Sequence, residues 1–218
     1  TDIQALKTSQ LATLATSTVA ALSTDQIQAL LTSQLGALGT NSVRALTTDQ
    51  VVALTTDQVT GLNTRTVQAL STEAITALTT GQMDALNTAG LAALTTSQVK
   101  ALSTDAVIAL STYQVANLTT GTMAALSTAQ IRALATDQLN ALGTAQIAAL
   151  SSSQVTALST AQMAGLSTDS LNALSTLQFG LLSSAQLAAL GTDQVAAFTT
   201  DDAAAISVAG IKGLSTEQ

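Results

Sequence analysis

The strongest constraint on this chain is a period of eight residues. Label the positions of each octad a to h, with Ser23 at a and Leu30 at h. Position h then recurs from residue 6 to residue 214, and 25 of these 27 sites are Leu; the exceptions are Phe198 and Ile206. Position b is Thr at 24 of its 27 sites, the others being Ser152, Ser184 and Val208. Position d is mostly Gln, g mostly Ala, and e is Ile, Val, Leu or Met almost throughout. The pattern reads clearly in Leu22, Thr24, Gln26, Ile27, Ala29 and Leu30, and again in Thr32, Gln34, Leu35 and Leu38. No insertion or deletion breaks the register. Such regularity predicts one continuous solenoid-like array over residues 1–218, of about 27 repeats, in which each unit contacts its neighbours.

Eight is not the period of a straight helix or of a strand. Eight residues of α-helix rotate by about 800°, so a Leu column would drift about 80° per repeat and form no stripe. Strands fare no better, since e, g and h do not alternate, and Ala, Gln and Leu favour helix. A short helix in every octad fits. Position a is mainly Ser or Thr, otherwise often Asn or Gly, the residues preferred at an N-cap. Gln follows three residues later, so Ser23/Gln26, Ser127/Gln130 and Ser159/Gln162 have the form of capping boxes, with Leu22 and Ile27 as a hydrophobic staple. If Thr at b is the cap instead, each helix starts one residue later.

The charges agree with this scheme. Nearly all of the 19 charged residues lie at c or f, three apart on one helix face; Lys7 and Asp202 are among the exceptions. Acids such as Asp25, Asp49, Asp57 and Glu73 sit at c, in the first turn, and bases such as Arg44, Lys100, Arg132 and Lys212 at f, as the helix dipole favours. Six helical residues are not stable alone, so each helix must pack on its neighbours, e and h inward. The expected fold is all-α: a solenoid or superhelix of very short capped helices, one per octad. Two octads per coil, as antiparallel miniature helices, is the preferred geometry, and three per coil the alternative.

Absent residue types narrow the function. The chain contains no His and no Cys, which removes the usual zinc sites and the Ser-His-Asp and Cys-His nucleophiles. Neither a phosphate-cradling loop nor a carboxylate dyad stands out. No catalytic residue, cofactor site or metal site is assigned, and enzymatic activity is not expected. Six basic residues in a chain of net charge −7 argue against nucleic acid. Mean hydropathy is positive. Even so, polar residues interrupt every apolar run well before the roughly 20 residues a bilayer requires, so no membrane span is expected. No small-molecule ligand is expected either.

The Thr column at b is the sharpest remaining feature. Its structural reading is support of the cap, or methyl packing between layers; its functional reading is a hydroxyl lattice for ice or a glycan. The acids at c read as solvated helix starts rather than a calcium ladder, because calcium needs six to eight converging oxygens. Tyr113 at c is a lone exposed aromatic, Phe179 at e and Phe198 at h are core substitutions, and Met83, Met123 and Met163 at e fill the core. Residues 198–214 are degenerate repeats, an approach to an array end, a junction, or ordinary drift. The chain begins and stops in mid-repeat, as expected of a piece of a longer array.

Octads such as those in ALTTDQVVALTTDQV, residues 45–59, resemble the LSTDQVxAL-like octapeptide tracts of very large bacterial secreted or surface proteins, often termed adhesin-like or haem-utilisation-like. The resemblance spans the chain. It implies an extracellular or cell-surface location and a structural role, with any functional residue lying outside this segment; haem ligation finds no His, Cys or Tyr pair here. The leading expectation is a stiff spacer, stalk or filament-forming array that associates with itself end to end or laterally. A repetitive binding surface for ice, glycan or protein is the alternative, using the Thr column or the variable c and f face. An engineered consensus array is a third reading, against which Lys7, Leu31 and Tyr113 speak.

Overall fold

The computed structural model describes residues 2–218. Among them are 26 α-helices of four to six residues, preceded by a 3-10 turn at Asp2–Ala5, and no strand. The chain divides into two compact units, Thr1–Leu110 and Ser111–Gln218, both built on one rule. Among the described residues, no helix is long and apolar enough to cross a membrane.

The octad sets each helix. In Thr24–Ala29 the N-cap is Ser23 at position a, extended at φ −69°, ψ 159°, and its hydroxyl accepts the Gln26 N–H. Thr at b is therefore the first helical residue and not the cap. The same arrangement recurs with Thr47, Thr55, Ser127 and Ser159 at a. Helices end at g or one residue earlier, except Thr8–Leu11 and Val208–Ile211, which end at e. In the longer ones the Leu at h is the C-cap and leaves extended, as at Leu30 (φ −65°, ψ 139°), while its N–H still bonds the carbonyl of e three residues back. Helix, extended h and extended a make up one octad.

The coil contains three octads, not the two preferred on sequence grounds. Within each unit, helices pack on the helix three repeats away: Thr24–Ala29 on Thr48–Val52, and Thr64–Ala69 on Thr88–Ala93, in the first unit. Thr128–Ala133 on Ser152–Ala157 and Thr176–Gly180 on Thr200–Ala205 do the same in the second. The physical reason lies at the h–a junction. An antiparallel pair needs a sharp reversal after each helix, commonly made by a residue at positive φ. No described residue has positive φ. Two extended residues bend the path less sharply, and three bends close the coil.

Positions e and h fill the interior. Ile27, Leu35, Val51, Val59, Ile75 and Met83 are buried, as are Leu30, Leu38, Leu54 and Leu62. Met123 and Met163 are fully buried as well. At roughly 1.5–3 kcal/mol per buried aliphatic side chain, this repeated layer drives assembly. Ala or Gly at g lets coils approach. A methyl added to Gly61 would run into Thr32, and one added to Gly165 into Thr136, each the b residue three octads earlier. The Thr methyl thus packs between layers.

Candidate functional site

The side chain that the fold uses most heavily is Gln at d. It is buried where a preceding coil lies beneath it, as at Gln34, Gln50, Gln58, Gln82 and Gln98 in the first unit, and half-buried at Gln218. Burying an amide is costly unless all its groups are bonded. Gln58 meets that condition. Its Oε1 accepts the Thr55 N–H at 2.9 Å, completing the capping box. Its Nε2 donates to the carbonyl oxygens of Ile27 (2.9 Å), Gln28 (3.1 Å) and Leu30 (2.7 Å). Those carbonyls lie 31, 30 and 28 residues back, at e, f and h of an earlier octad.

A short helix leaves backbone donors without partners at its start and acceptors without partners at its end. One amide serves both. It closes the start of its own helix and caps the end of a helix in the coil below. The bridge recurs with little change. Gln82 reaches Val51 and Leu54 at 2.8 Å each, and Gln98 reaches Val67 at 2.7 Å and Leu70 at 2.9 Å. In the second unit Gln154 reaches Met123 and Leu126, and Gln186 reaches Val155 and Leu158. No buried side-chain nitrogen or oxygen among the described residues lacks a partner.

Departures from Gln are informative. Thr66 and Gly90 stand at d, and these are the two octads with Asn at a. Asn87 Oδ1 accepts the Gly90 N–H at 2.7 Å, while its Nδ2 donates to the carbonyls of Thr60 (2.7 Å) and Leu62 (3.0 Å). Asn63 caps Thr66 in the same way, at 2.9 Å. At Ser42 the hydroxyl donates to the Leu14 carbonyl at 3.1 Å, again 28 residues back. Where the N-cap has no side-chain acceptor, half of the box persists: the Leu31 N–H donates to Gln34 Oε1 at 2.8 Å, and the Ala135 N–H to Gln138 Oε1 at 2.8 Å.

The residues singled out in the sequence fall into three environments. Ile27, Leu30, Leu35 and Leu38 are core, with Gln34 buried beside them and bonded to the carbonyls of Ile3, Gln4 and Leu6. Gln26, in the first coil, is exposed and keeps its capping box with Ser23. Leu22, Ala29 and Thr32 are half-buried and Thr24 is exposed. Tyr113 is 70% exposed. One contact escaped sequence reasoning: position f is not only a solvent face. Thr60 Oγ1 donates to the Ala85 carbonyl at 2.9 Å and Thr76 Oγ1 to that of Ala101 at 3.0 Å, each 25 residues ahead. The recurrence of Thr or Asn at f was the available signal.

Three capped helices per coil, joined coil to coil by buried amides, define a helical repeat solenoid. The ALTTAQ repeat model matches residues 1–32, 31–64, 83–120, 115–152, 136–168 and 168–200. With most of its length matched, the chain belongs to the ALTTAQ repeat family. No curated protein matches it significantly.

Proposed function

We propose that the array is a non-enzymatic structural spacer or stalk of an extracellular bacterial surface protein. The observation that carries this reading is the recurring amide bridge. The side chains that dominate the repeat are consumed in fastening one coil to the next, as Gln58, Gln82 and Gln98 do in one unit and Gln154 and Gln186 in the other. A repeat so specified adds one near-identical layer per coil, which suits a part whose task is length. The octad resemblance supports the surface location, and association with further copies, end to end or laterally, belongs to the same reading. Small-angle scattering of the purified chain tests it. The expected distance distribution has the long tail of an extended particle, and protease treatment of intact producing cells releases the array. A compact distribution, or an array protected until the cells are lysed, defeats the reading.

A second reading, a repetitive binding surface, draws on the Thr column. Since a supplies the cap, the b hydroxyls are not needed there, and Thr24, Thr48, Thr56 and Thr96 are exposed. Thermal hysteresis in ice growth, abolished by Thr24→Tyr/Thr48→Tyr/Thr96→Tyr, would favour this alternative over the spacer.

A further inference from the structure

With three octads per coil, residues 24 apart stand on the same side of successive coils. In the unit Thr1–Leu110 this sorts the charges: acids fall on two sides and the arginines on the other, and of the two acidic sides the one with Asp57, Asp84 and Asp105 lacks an acid at c in its middle coil, at Gly81. Asp25, Asp49 and Glu73 all occupy position c on one side, where Thr24–Ala29 packs on Thr48–Val52 and Thr48–Val52 on Thr72–Ala77. Arg44 and Arg65 lie on another side, on Thr40–Arg44 and Thr64–Ala69, which pack on each other. All five side chains are exposed. The octads of the arginine side, residues 15–22, 39–46, 63–70 and 87–94, contain no acid. Arg65 is held in place, its Nη2 donating to the Gly36 carbonyl at 3.0 Å. On the acidic side the next coil beyond Glu73 brings Lys100, which ends the run.

One exposed ion pair contributes little. Repetition changes the balance. Two copies share one coil pitch, and Arg44 at f and Arg65 at c stand on successive coils, three positions out of line; once one of these long side chains meets a carboxylate, the other is carried within reach of the acid one coil on and pairs as an intramolecular contact. Opposite potentials on the two sides also steer the encounter and suppress like-face pairing.

We propose that this unit associates laterally with a second copy of the chain, the Asp25/Asp49/Glu73 side of one against the Arg44/Arg65 side of the other. The proposal rests on the self-association within the spacer reading and names its faces. The contact is heterologous, so each copy keeps one face open and assembly continues side by side.

Sedimentation of the full chain tests it. At about 0.01 M salt, where screening acts over about 30 Å, the mass exceeds that of the monomer; at about 1 M, where it acts over about 3 Å, the chain is monomeric. The reversed variants Asp25→Lys/Asp49→Lys/Glu73→Lys and Arg44→Glu/Arg65→Glu each sediment as monomers at low salt. Mixed together they associate, because one retains the arginines and the other the acids. Should either set fail to fold by circular dichroism, Asp49→Lys and Arg65→Glu replace it, and each weakens association several-fold. A monomeric native chain at low salt, a reversed variant that still associates alone, or a mixture that stays monomeric overturns the proposal. An extended scattering profile without association rejects this contact and leaves the spacer standing; association by a compact particle does the reverse.

Discussion

The ring of Phe198 stands edge-on to that of Phe179, with centroids 5.0 Å apart and planes at 84°. Phe179 at e is fully buried, and Phe198 replaces the Leu that h otherwise carries, so the two aromatic departures from the repeat meet in one place. Such pairs contribute about 0.5–1.5 kcal/mol beyond the area they bury. Phe198→Leu, although it restores the consensus, is therefore expected to destabilise the Ser111–Gln218 unit. A double-mutant cycle with Phe179→Leu, followed by urea unfolding, is expected to return a coupling of that size. Additive effects would mean the rings are independent core substitutions.

Gln58 offers the most direct test of the bridge. Gln58→Ala leaves the Thr55 N–H without its side-chain acceptor and removes the donor to Ile27 and Leu30. With about 1–3 kcal/mol lost for each buried polar group left unpaired, a total loss of about 2–4 kcal/mol is expected. Gln58→Glu retains an oxygen for Thr55 but sets a second, hydrogen-free oxygen against the carbonyls of Ile27, Gln28 and Leu30. At pH 7 it is expected to be no more stable than Gln58→Ala. A glutamate variant as stable as the native chain in urea would show that the interlayer donor contributes nothing.

The reverse substitution is expected to stabilise. Asp202 occupies d and is buried; its Oδ2 accepts the Thr199 N–H at 3.2 Å and the Thr199 hydroxyl at 2.6 Å. A carboxylate there has no hydrogen for the carbonyls of Leu171 and Leu174, which stand where Gln elsewhere donates. Asp202→Gln supplies both halves of the bridge and should raise stability by about 0.5–1.5 kcal/mol. A melting temperature that falls on this substitution would count against the account.

These residues also mark how far the sequence could be read. The inward face, and the helix start to within one residue, follow from Ser23, Thr24, Gln26 and Ile27, because capping and helical burial act within one octad; that Ser23 and not Thr24 is the cap comes from the structure. The second half of the work done by Gln58 was not legible. Its carbonyl partners at Ile27 and Leu30 are next to it only when three octads close a coil, and nothing local in an octad states the angle of the h–a junction. The stacking of Asp25, Asp49 and Glu73 was hidden for the same reason: spaced three octads apart, they look scattered along the chain. Asn87 shows a signal that was present and passed over, since Asn appears at a only where d lacks Gln.

Glu73 makes stability depend on pH in a direction that can be worked out. Its carboxyl is held below the ordinary glutamate value chiefly by its own backbone N–H, then by the Ser71 hydroxyl, against the opposition of desolvation, with a smaller lowering by Thr72. A value depressed on folding means that the unfolded chain binds more protons in the titration range, so stability falls as pH falls. The contribution is fully present above the unfolded value of about 4.3 and disappears as pH drops through the lower folded value. The gap between the native chain and Glu73→Gln should therefore stay constant from neutral pH down to about 5 and close in more acid solution. Urea midpoints collected across that range check it. A gap that widened on acidification would mean that folding raises the Glu73 carboxyl instead, as mutual repulsion with Asp49 in the coil below would do.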